Sequence, residues 1–118
     1  MYRVFIDEVG THDIKSCQKP TEQYLGLTGV IMRLVDEQGA LTTALNQLKN
    51  TIFGDTNVVF HRRDIIDRKK PFDVLNNAQT QGQFDSGLTA LLQAAHYNVF
   101  TAVIDKKEHA LRYRVWRF

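Results

Sequence analysis

A chain of 118 residues, 43% hydrophobic and 24% charged, is sized for one soluble domain with a core of its own, and its net charge of +2 neither demands nor forbids a nucleic-acid partner. The lone Cys17 excludes an internal disulfide and suits a reducing compartment. No basic-then-apolar leader precedes the first strand and no apolar run approaches the roughly 18 residues that span a bilayer, so a cytoplasmic protein with no membrane partner is expected.

Tyr2-Arg3-Val4-Phe5-Ile6-Asp7 alternates β-prone residues as a strand requires, and Asp7 and Glu8 follow into a turn at Gly10. This is read as a first strand ending in an acidic site. A solvated strand end is the plainer reading of the same two acids. Residues 12–22 are polar, with a turn near Pro20, and suit a surface connection. Tyr24 to Leu34 carries no charge until Arg33 and predicts a strand buried on both faces. Gly26 and Gly29 within it mark close approach of another backbone, most simply the first strand.

Asp36 is placed to cap a helix whose buried stripe is Leu41, Leu45, Leu48 and Ile52, closed by Gly54. Asn57 to Asp64 is expected to be a short strand or extended segment that delivers His61 and Asp64 at its exit. Their i, i+3 spacing lets His61 serve as ligand or proton carrier with Asp64 as its orienter, while a capping Asp64 beside a surface His61 fits the spacing as well. Pro71 opens a brief helix that stops near Asn76 and Asn77. Gln83 to His96 has its apolar residues at helical spacing, Phe84, Leu88, Leu91, Leu92 and Ala95. Val99 to Ile104 is a nearly continuous apolar run, the pattern of a central strand, and ends at Asp105.

Strands early and late with helices between predict one α/β domain over residues 1–118 with at least one parallel pairing. If the first and last strands lie parallel and adjacent, Asp7 and Asp105 emerge at one sheet edge and can share a divalent cation. Oxygen ligands without a cysteine cluster favour Mg²⁺ or Mn²⁺. From Lys106 onward, Lys106, Lys107, Arg112, Arg114 and Arg117 oppose only Glu108. That basic run suits a nucleic-acid backbone, and an ordinary solvated face explains it equally well.

Four segments taken in order, Phe5-Ile6-Asp7-Glu8-Val9-Gly10-Thr11, Tyr24 to Ile31, Phe60-His61-Arg62-Arg63-Asp64-Ile65 and Ala102-Val103-Ile104-Asp105-Lys106, resemble the domain of unknown function 3800 family. That family is grouped with ribonuclease H-like folds and is regarded as metal-dependent nucleases of prokaryotes. The resemblance implies a ribonuclease H-like mixed sheet with flanking helices, and hydrolysis of phosphodiester bonds by a metal-dependent hydrolase. It implies a metal set of Asp7, Glu8 and Asp105, and His61 with Asp64 as further catalytic residues. Lys106, Lys107, Arg112 and Arg114 become the expected phosphate contacts. The chain departs from the family in having Val9 where Ser is usual, and in ending before a further acidic segment. A C-terminally incomplete domain is therefore expected, with a non-catalytic nucleic-acid or protein-binding module as the rival. Trp116 and Phe118 would then be exposed, or packed in a homodimer through the C-terminal segment.

Overall fold

The first strand forms over Tyr2–Val9 (β1) in the computed structural model, which describes residues 1–11, 13 and 19–113. It passes straight through Asp7 and Glu8 and ends at Gly10, whose φ of 103° is open to glycine and strained for a side chain. A Cβ there would also lie 2.6 Å from the Tyr24 carbonyl oxygen. After the one-turn helix α1 (Pro20–Gln23) comes β2 (Tyr24–Arg33), and β3 (Asn98–Asp105) lies on its other side, giving the order β1-β2-β3.

All of this sheet is antiparallel. Thr28 faces Thr101 and Tyr24 faces Asp105 across the β2–β3 ladder, and the Thr28 and Thr101 hydroxyls lie 3.1 Å apart. On the other ladder the Leu34 N–H donates to the Met1 carbonyl at 3.0 Å, and a Cβ on Gly26 would meet Val9. This register puts Phe5 opposite Val30 and Asp7 opposite Thr28. Gly29 is needed for β3 and not for the first strand, because the Phe100 ring lies where its Cβ would be. The expected parallel, adjacent pairing of the first and last strands is therefore replaced by two strands that point the same way with β2 between them. Nor is β3 a central strand. Among the described residues it is an edge, and six of its eight residues are exposed. Local periodicity cannot separate these cases, since strand order is decided by contacts distant in sequence.

The chain divides into two units, one made of Tyr2–Met32 with the segment from Tyr97, the other of Met1 with Arg33–His96. The second is helical. Leu34–Asp36 (α2) runs through a π-helical turn, Glu37–Leu41, into Thr42–Phe53 (α3). Asp36 does not cap it, because the helix has already begun at Leu34. Its carboxylate instead takes the Arg33 guanidinium at 2.7 Å. Gly54 closes α3 in the left-handed conformation, its N–H on the Asn50 carbonyl.

No strand forms between Asn57 and Asp64. Val58 and Phe60 instead plug the core from an irregular segment, which leads into α4 (Arg62–Ile66). Phe72–Asn76 is a 3-10 turn, and α5 (Ala78–Ala94) begins earlier than the apolar spacing suggests, at an Asn77 cap whose Oδ1 accepts from the Gln79 and Thr80 N–H groups. Val58, Phe72, Leu75 and Phe84 form the buried cluster. Edge-to-face ring pairs hold it, Phe53 with Phe72 and Phe60 with Phe84, both at 5.3 Å between centroids.

Candidate functional site

In the sheet unit the acidic residues have separate tasks. Asp105, half-buried at the end of β3, caps α6 (Lys106–Arg112), and its Oδ1 accepts from the Lys107 N–H at 3.0 Å and the Glu108 N–H at 3.2 Å. The Gln23 amide donates to both carboxylate oxygens at 3.1 Å. That side-chain bond first, then the Glu108 N–H, holds the Asp105 carboxyl below the ordinary carboxylate value. Asp7 is exposed on β1, where its Oδ1 accepts from the N–H of Glu8 at 2.9 Å.

Asp7 and Asp105 share one face of the sheet, since each lies opposite an even-numbered residue of β2. They are not neighbours on it. Two interstrand spacings separate them, about 10 Å, and the four residues from Thr28 to Tyr24 add about 13 Å along the strands. Oxygen ligands bind Mg²⁺ or Ca²⁺ at about 2.0–2.6 Å, so the two carboxylates do not fit one shared ion on this ladder. The sequence reading ended the first strand at Asp7. Its continuation to Val9 moves that carboxylate away from the sheet end. Among the described residues no group of three or more His, Cys, Asp and Glu is placed to hold a metal.

Lys106 was expected to meet a phosphate. It is 2% exposed, and its ammonium donates to the Thr11 carbonyl at 2.8 Å, the Thr11 hydroxyl at 3.0 Å and the Asp13 carbonyl at 3.1 Å. The bonds tie the loop after β1 to the start of α6, and the charge is turned inward. Lys107 is exposed, whereas Arg112 pairs with Glu108 one helical turn back. A shallow groove beside Asp105 is lined by Glu108, His109, Arg112 and Tyr113. The His109 and Tyr113 rings lie 4.7 Å apart. Sequence reasoning gave these residues no joint role, although both pairs sit at i, i+4 in a segment that Asp105 can cap. Arg114, Trp116 and Phe118 lie outside the described residues, as do His12 and Cys17.

In the helical unit His61 and Asp64 do meet. His61 is the N-cap residue of α4, without a side-chain cap bond, and its Nδ1 lies 3.4 Å from Asp64 Oδ2. Asp64 in turn faces Lys69 at 3.7 Å. Between His61 and Lys70 the chain places Arg62, Arg63, Arg68, Lys69 and Lys70 against Asp64 and Asp67. Arg68 turns inward, to the Ile65 carbonyl and Gln81. Arg62, Arg63, Lys69 and Lys70 are exposed, with Arg63 on Asp67 at 3.7 Å. The turn is thus an outward cationic corner.

No described helix is long and apolar enough to cross a membrane. No family model, curated protein or solved structure matches the chain.

Proposed function

We propose that this chain is a nucleic-acid-binding module that grips the phosphate backbone through the cationic corner at His61–Lys70 and does not itself hydrolyse it. The observation that carries this reading is the outward set Arg62, Arg63, Lys69 and Lys70 on one short turn of the helical unit. Guanidinium and ammonium groups so placed displace counterions from a phosphate chain, and the resulting affinity falls steeply as salt rises. The separation of Asp7 and Asp105 along the ladder supports the non-catalytic part. A ribonuclease H-like fold is the family architecture that the four motif segments suggest for the module.

One observation favours a second reading, metal-dependent phosphodiester hydrolysis. The His61–Asp64 contact is the arrangement by which a carboxylate fixes an imidazole for proton transfer. The test follows labelled single- and double-stranded RNA and DNA by anisotropy at rising salt, and their integrity with Mn²⁺ and with EDTA. The module reading expects binding at low salt, a log–log salt slope reduced by about 1 in each of Arg62→Gln and Lys70→Gln, and intact oligonucleotide. Cleavage that needs Mn²⁺ and is lost in Asp7→Asn would replace it with the nuclease reading.

A further inference from the structure

Backbone bonds close residues 62–70 on themselves. Past α4 the Lys69 N–H returns to the Asp64 carbonyl at 3.1 Å and the Arg68 N–H to the Ile65 carbonyl at 3.3 Å, the paired bonds of a Schellman motif. At its left-handed position, where glycine is usual, stands Arg68 with a φ of 53°. The Arg68 guanidinium is turned inward, donating to the Ile65 carbonyl at 2.8 Å and to Gln81. The motif brings Lys69 and Lys70 back beside the turn that begins with Arg62 and Arg63, so both cation pairs are held on one short, tied segment. The rings of the helical unit are engaged elsewhere. Its four phenylalanines, Phe53, Phe60, Phe72 and Phe84, pack edge to face at 5.3–6.2 Å, and Lys49 stands over Phe60 at 5.6 Å. The exposed apolar neighbours of the corner, Val59 and Ile66, are aliphatic. His61 is its exposed ring, and the Nδ1 lies 3.4 Å from the Asp64 carboxylate, so a base laid there would draw its phosphate toward a negative charge.

Resting on the reading of this corner as a phosphate grip, we propose that its ligand is double-stranded nucleic acid, held without regard to base sequence and in preference to single strands. Proteins that bind single strands without base readout add the stacking of successive bases on aromatic rings to the attraction of charge. Here the rings are in the core and charge acts alone. With charge alone, the tighter ligand is the one whose phosphates are denser. A duplex carries one charge per about 1.7 Å of axis, and each cation releases about 0.9 counterion from it against about 0.7 from a single strand. For the four outward cations the salt slopes differ by about 0.8, which is about tenfold in affinity near about 50 mM salt. Rigidity acts in the same direction. The tied turn offers its charges at fixed positions, which a duplex meets with phosphates already in place and a single strand meets only after being ordered.

The experiment titrates the whole chain, in EDTA, against a DNA duplex, an RNA duplex and the separated strands of each, all of one length, from low salt upward. Each duplex is expected to bind about tenfold tighter than its own strands at low salt, with the steeper salt slope, and scrambling the base sequence is expected to change neither. A gain of function tests the cause. Val59→Trp sets an exposed ring beside His61 and is expected to raise single-strand affinity on the order of tenfold, erasing the preference while duplex affinity stays nearly unchanged. Single strands bound as tightly as their duplex overturn the proposal, and loss of that binding in His61→Ala would locate the stacking ring. A duplex preference that Val59→Trp leaves untouched overturns it as well. Absence of binding to every oligonucleotide at low salt is a different failure, which removes the phosphate grip itself and the proposal with it.

Discussion

The helical unit and the sheet unit bury their side chains in opposite ways. Around Phe72, Leu75 and Phe84, each 2% exposed, the helical unit closes a core of interlocking aromatic rings. In the sheet unit Ile6 and Val103 are both 68% exposed, whereas Lys106, a charged residue, is only 2% exposed. One unit is organised by apolar burial, the other by backbone ladders and by polar ties at the sheet end, Lys106 to the loop and Gln23 to Asp105. A buried cation with three oxygen acceptors does for the sheet end what Phe72 does for the helices, with directional bonds in place of area.

The contrast can be broken from either side. The largest effect is expected from Phe72→Ala, which empties a filled aromatic site and should destabilise the helical unit by about 3–5 kcal/mol in equilibrium urea unfolding. Lys106→Met keeps the stem and removes the ammonium, leaving the acceptors at Thr11 and Asp13 without it. A loss of about 2–4 kcal/mol is expected, with amide-shift changes confined to the sheet unit. If the change spreads into α5, the two units do not behave as separate cores. Asn77→Ala removes the α5 cap and should cost about 1 kcal/mol, seen as fraying of the first turn.

The smallest effect sharpens the contrast by pH. The Asp105 carboxyl is held below its ordinary value in the folded chain, so its contribution is present above the unfolded carboxylate pKa, near 4, and is lost as pH falls through the folded one. In metal-free solution the melting advantage of wild type over Asp105→Asn should be flat from about pH 5 upward and shrink from about pH 4 downward. A difference that instead grows toward acid would contradict the Gln23 and α6 contacts. In the same assay millimolar Mg²⁺ or Mn²⁺ is expected to leave the melting temperature unchanged. A rise abolished by Asp7→Asn and by Asp105→Asn would revive the shared-ion reading.

Much of the secondary structure was legible, because β1, β2, β3, the α3 stripe and the later turns of α5 announce themselves by local periodicity. The exceptions have physical causes. Asn57 to His61 alternates like a strand because Val58 and Phe60 both point into a core, and alternation alone cannot say that the core is helical. The early start of α5 was signalled by Asn77, an accepted capping residue, and was missed because its first turn, Ala78 to Gln81, carries little apolar weight. The candidate site was less legible. That His61 and Asp64 meet follows from i, i+3 spacing at a helix start. Whether Asp7 and Asp105 share a sheet edge depends on the order of three strands, which no local pattern encodes. Lys106 is the sharpest case, since lysine is almost always exposed and only the placement of three oxygens around its ammonium reveals otherwise.

The separation of the acids rests on the β1–β2 register, and amide hydrogen exchange along β1 tests it most directly. The register predicts an alternation, with the amides of Arg3, Phe5 and Asp7 protected and those of Val4, Ile6 and Glu8 exchanging faster. Uniform protection along β1 at high dilution, or the opposite alternation, would contradict it.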